Sequence, residues 1–99
     1  MPPLSSMDRA HYLELLRPAI DIVAKKDEDY NSTVKLEEYF PFGDISYAQM
    51  MHVKQMRIRN LLATGQAPNF ESIKDSVFDL INYAVFYLDY LEKKDAKNL

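Results

Sequence analysis

Glycine occurs twice in the 99 residues, at Gly43 and Gly65, and no stretch alternates strictly between apolar and polar residues, so the chain reads as all-α. The first helix is predicted to start near Ser5 or Ser6, with Asp8 in its first turn, and to run to about residue 29. It carries Leu13, Leu16, Ile20 and Val23 at helical spacing. Pro18 falls inside it and should kink or divide it near Arg17, since proline removes a backbone donor and crowds the preceding turn. The second helix is expected from Ser46, where "SYAQ" fits a capping box, to residue 64, with Gly65 as its left-handed stop. After "QAPN" a third should begin near Asn69 or Phe70 and extend to about residue 94. Residues 31–44 read as a connector whose aromatics pack back, with a short helical turn near Val34 to Tyr39. Three to four antiparallel helices in one domain, residues 1–99, make a small bundle.

With 47% hydrophobic residues, a chain this short forms one modest core. Seven Tyr and five Phe are more than such a core consumes, which points to a homo-oligomer, a dimer or higher. The net charge of −3 and a pI near 5.3 argue against general DNA or RNA binding. Without cysteine, disulfides, thiolate nucleophiles and Cys-ligated metals are excluded. The amino-terminal "MPPLSSMDRAHYLELL" lacks a signal-peptide pattern, and no apolar run approaches the roughly 18 residues that span a bilayer. A soluble, cytoplasmic protein is expected.

Projected at helical spacing, the second helix places Tyr47, Met50, Met51, Val53, Ile58, Leu61 and Leu62 on an apolar arc, yet Lys54 and Arg57 project into it. Such cations either snorkel to water or meet a carboxylate or an anionic ligand. On the third helix, Ile73, Val77, Leu80, Ala84, Leu88 and Leu91 form the expected core stripe, opposite a polar line of Glu71, Asp75, Asn82 and Asp89 with Asp79 at its edge. That line reads either as a solvated face or as a site. Its carboxylates repel one another unless a cation intervenes, and carboxylates one turn apart can share Mg²⁺. Phe78, Tyr83, Phe86 and Tyr90 flank the line, so the second half of the helix is apolar almost all round. His11 and His52 lack metal-ligand spacing, and Ser72 and Ser76 have no histidine base nearby in sequence.

Three segments in order, "KKDEDYN", "DISYAQMMHVKQMRIRNLL" and "ESIKDSVFDLINYAVFYL", resemble the nucleotide modification associated domain family of phages and prophages, over about the last three-quarters of the chain. That family is similar in architecture to MazG-like nucleotide pyrophosphatases, whose helices present acidic residues to Mg²⁺ and a nucleotide triphosphate. The resemblance implies a site in which Glu71, Asp75 and Asp79 hold Mg²⁺ and Lys54 and Arg57 meet phosphate. Asp29 and Asn82 would complete the nucleotide contacts, and Tyr30 would stack on a base. One departure bears on activity: the second helix lacks the Glu-x-x-Glu pair of the MazG-like enzymes, so no catalytic residue is assigned. The expectation is a domain that recognises or sequesters a nucleotide or cyclic nucleotide without turnover. The alternatives are an interaction or anti-defence protein acting through the aromatic third helix, and a Mg²⁺-dependent pyrophosphatase.

Overall fold

In the computed structural model of the protein, which describes residues 7–29, 34–65 and 72–97, every regular element is helical. The chain divides into two compact units, Met1–Asn31 and Ser32–Leu99. The first holds one helix, α1 (Arg9–Asp29). Asp8 caps it: the carboxylate accepts the His11 N–H at 2.8 Å and the carbonyl accepts the Tyr12 N–H at 3.0 Å, satisfying donors that the first turn cannot pair internally. The helix therefore starts a few residues later than Ser5 or Ser6. Pro18 does not divide it; α1 passes through that position as one continuous element. Of its predicted stripe, Leu16 and Val23 are half-buried, whereas Leu13 and Ile20 are exposed.

The second unit contains a short 3-10 helix, Leu36–Tyr39, followed by α2 (Asp44–Thr64) and α3 (Ile73–Lys97). The 3-10 helix is the short turn expected near Val34 to Tyr39. After it, Gly43 takes φ 62° and ψ −134°, a backbone geometry essentially confined to glycine, and this bend lets the helix begin at once with Asp44. Ser46 consequently does not cap α2. Its hydroxyl instead accepts the Phe42 N–H at 2.8 Å and tightens the preceding turn. At the other end Gly65, with φ 62° and ψ 12°, donates its N–H to the Leu61 carbonyl at 3.2 Å, the left-handed stop that the sequence predicts.

Ser72 opens α3. Its carbonyl accepts the Ser76 N–H, its Oγ accepts the Asp75 N–H at 3.0 Å, and Asp75 reaches back to accept the Ser72 N–H at 3.1 Å. This reciprocal pair is a capping box. The expected start at Asn69 or Phe70 lies outside the described residues, and the helix continues three residues past its expected end, to Lys97.

α2 and α3 pack antiparallel. Asp44, the first residue of α2, bonds Tyr87 and Lys94, while Lys54, ten residues further along α2, bonds Asp79. Between these tie points sits an aromatic core. Tyr47, 1% exposed, stacks on Phe40 at 4.1 Å and on Tyr87 at 5.2 Å, with Tyr90 at 5.0 Å. Tyr83 and Phe86 close on Phe40 from α3. Of the connector's aromatics only Phe40 packs inward; Tyr39 and Phe42 are exposed.

This arrangement turns α3 away from its predicted orientation without inverting it. Its aromatic arc, with Asp79 and Ser76, faces α2, whereas Ile73, Val77 and Leu88 of the expected core stripe are exposed and Leu80, Ala84 and Leu91 are half-buried. The physical reason is the payload of each face. Aromatic rings bury more area than aliphatic side chains and gain further from stacking, and tyrosine hydroxyls can still reach partners at the edge. The aromatic face is thus occupied within the chain. On α2, Val53 and Leu62 of the predicted apolar arc are likewise exposed.

Candidate functional site

Lys54 and Asp79 meet across the α2–α3 interface, Nζ to Oδ2 at 2.9 Å, with only 16% and 25% of their side chains exposed. Helical spacing puts Arg57 on the same arc of α2 as Lys54, one turn further on, and Asn82 on the same arc of α3 as Asp79. Because the helices run in opposite directions, these two residues lie on opposite sides of the Lys54–Asp79 pair. At 1.5 Å per residue the strip from Asn82 to Arg57 is about 9 Å long. Arg57 and Asn82 are both half-buried, and the Nε of Arg57 is shielded from solvent. The same register brings Arg57 level with Ser76, whose side chain has no exposed surface. Lys54 and Arg57 therefore do point inward along α2, and Lys54 meets a carboxylate there.

Of the other predicted site residues, only Asp75 lies both in the same unit and among the described residues. Asp29 ends α1, in the other unit. Tyr30 and Glu71 lie outside the described residues. Asp75 is exposed and committed to the α3 cap, accepting from both the backbone N–H and the hydroxyl of Ser72. Those bonds hold its carboxyl below the ordinary aspartate value, since each stabilises the ionised form.

These commitments decide how Mg²⁺ fits the described residues. Asp79 is engaged by a cation, Asp75 by a helix cap, and no three His, Asp or Glu side chains converge in a way that could hold a metal ion among the described residues. A hard cation needs several oxygens with their charge available. The described donor set does not fit that requirement. The acid that α2 does carry, Asp44, is likewise committed, accepting from Tyr87 Oη at 2.9 Å and Lys94 Nζ at 3.1 Å. Those two hydrogen bonds, the tyrosine's foremost, lower its pKa.

Cations also gather in an open groove at the end of α3, lined by Lys35, Lys93, Lys94 and Lys97 beside Tyr90. Lys93 bonds Glu37 and Asp89, and Lys94 bonds Asp44, so half of that charge is already neutralised. Sequence reasoning missed these ties and the burial of Ser76. Asp44 and Lys94 are 50 residues apart, and neither belongs to a local motif. For Ser76 a signal existed: it is a small polar residue on the arc that also carries Asp79, Tyr83 and Tyr90, where close helix packing favours small side chains.

Fold and site together define a small all-helical domain built on an antiparallel helix pair with a charged strip in its interface. The chain belongs to the nucleotide modification associated domain 1 family, whose pattern matches residues 26–90. That span takes in the end of α1, all of α2 and most of α3. No curated protein and no solved structure matches the chain. Among the described residues no helix is long and apolar enough to cross a membrane.

Proposed function

We propose that the α2–α3 pair binds a nucleotide or nucleotide-derived signal through its phosphates, without turnover. The observation that carries this reading is the placement of two cations, Lys54 and Arg57, on the inward arc of α2, with Asp79 holding Lys54 at 2.9 Å. Arginine offers a planar fork suited to phosphate oxygens, and an ammonium oriented by a carboxylate adds a second positive point beside it. Asn82, beyond the pair, carries an amide, the kind of group that recognises sugar hydroxyls and base edges. A strip of about 9 Å suits an extended ligand better than a single anion. The family's association with nucleotide modification is in keeping with such a ligand. Recognition is favoured over hydrolysis because Asp75, Asp79 and Asp44 are committed to a helix cap, a lysine, and a tyrosine with a lysine, respectively, which leaves these three acids poorly placed to activate water.

Titration calorimetry with nucleoside triphosphates and cyclic dinucleotides tests the reading. Binding should weaken about tenfold or more on Arg57→Ala, with the helical circular dichroism unchanged. Absence of heat with every nucleotide overturns it, as does binding that Arg57→Ala leaves intact.

A further inference from the structure

The outward face of α3 carries six residues at helical spacing: Lys74, Val77, Ile81, Val85, Leu88 and Glu92. Val85 is 53% and Leu88 61% exposed, Val77 is exposed as well, and Ile81 is half-buried. The residues that end the strip, Lys74 and Glu92, are exposed, and Glu92 has no ion pair among the described residues. They are 18 residues apart, which is five full turns, so they share one azimuth at the two ends of a strip about 27 Å long. Four large aliphatic side chains in an unbroken row on a solvent-facing helix are costly to leave wet.

The order of the strip is close to a charge-inverted palindrome. About a midpoint at residue 83, Ile81 is the mirror position of Val85, Val77 falls within one residue of the mirror of Leu88, and Lys74 mirrors Glu92. An antiparallel copy of the same helix would therefore set Lys74 against the partner's Glu92 at both ends and Ile81 against the partner's Val85 at the centre. A parallel copy would place lysine on lysine and glutamate on glutamate. We infer that this face is a homodimer surface, occupied by the same face of a second copy across a two-fold axis. Charge complementarity at both ends selects the antiparallel direction. The surface is separate from the Lys54–Asp79 strip, which lies on the opposite side of α3, so the inference stands or falls independently of nucleotide binding.

One helix face per subunit is smaller than a standard interface, so a micromolar dimer is expected. Sedimentation equilibrium of the full chain from about 5 to about 500 µM should show monomer and dimer in exchange. Val85→Glu should leave monomer throughout that range while circular dichroism stays helical, the position being exposed already. Lys74→Glu and Glu92→Lys should each weaken dimerisation about tenfold, since each sets like charges at both ends. The double reversal should restore it. A monomer at every concentration overturns the inference. A dimer indifferent to Val85→Glu overturns it in favour of another surface, and failure of the double reversal to restore association excludes antiparallel pairing.

Discussion

Lys54 Nζ stands 2.9 Å from Asp79 Oδ2 between α2 and α3, and both side chains are less than one-third exposed. At that depth removing one partner strands the other charge in a half-buried position, a larger cost than losing a surface ion pair. Lys54→Met and Asp79→Asn should each destabilise the protein by about 1–2 kcal/mol. Joined in one chain they should cost clearly less than their sum, because no stranded charge remains. Urea unfolding of the four proteins closes the cycle. Additive losses would show that the pair is uncoupled and that each residue acts through other contacts.

The two glycines make unequal demands. Gly65 has a left-handed φ of 62°, and nothing lies within 4 Å of where a Cβ would stand; Gly65→Ala should cost about 1 kcal/mol and Gly65→Asn less. Gly43 has the same φ at ψ −134°, and a Cβ there would come within 2.9 Å of Tyr90 Oη. Gly43→Ala should therefore cost about 2–3 kcal/mol, the sum of a forbidden backbone and a displaced tyrosine. Denaturation midpoints give the comparison, and equal losses at the two sites would refute it.

Those glycines were also the most legible part of the chain. Two glycines and no alternation gave the helical class, and Gly65 marked the end of α2 to the residue, because a left-handed stop is a local property. Lys54 and Arg57 stood out on the same local ground, as cations on an apolar arc. Which way α3 faces was not local. Its aliphatic stripe, Ile73 to Leu91, and its aromatic arc, Tyr83 to Tyr90, are both apolar, and the choice between them depends on Phe40 and Tyr47, some 40 residues earlier. Periodicity measures amphipathic contrast and cannot rank two apolar faces. The start of α2 is non-local for a related reason: Ser46 satisfies the capping pattern, but the bend at Gly43 and the distant partners of Asp44 draw the helix back two residues.

Tyr47 is the hinge of that long-range packing, with rings of Phe40, Tyr87 and Tyr90 around it and 1% of its surface exposed. Tyr47→Ala should cost about 3–4 kcal/mol, the loss of an aromatic side chain from a core that cannot collapse around the gap. In a protein of this size that is a large part of the total stability. Phe42, 79% exposed, is the control: Phe42→Ala should change stability by no more than about 0.5 kcal/mol. Thermal melts followed by circular dichroism separate the two, and a comparable loss for Phe42→Ala would contradict the assigned core.

Acid should loosen the Ser32–Leu99 unit through identifiable carboxylates. Asp44 is held below its ordinary value of 3.8 by hydrogen bonds from Tyr87 and Lys94, and Glu37 below 4.5 foremost by the hydrogen bond from Lys93. Because both folded values are depressed, the unfolded chain takes up protons first as pH falls. The stabilisation is complete above the unfolded values and is lost as pH drops through the lower folded ones. The urea midpoint should accordingly hold from about pH 7 to about pH 5 and fall below about pH 4. Tyr87 has the opposite sign. Its hydrogen bond to Asp44 raises the phenol above its ordinary 10.0, so its contribution holds below that value and is lost as pH rises beyond it. Asp44→Asn removes one source of each arm. The variant should be less stable near neutrality and should lose less than the parent between about pH 5 and about pH 2. An acid arm as steep in Asp44→Asn as in the parent would show that the Asp44–Tyr87–Lys94 tie does not carry it.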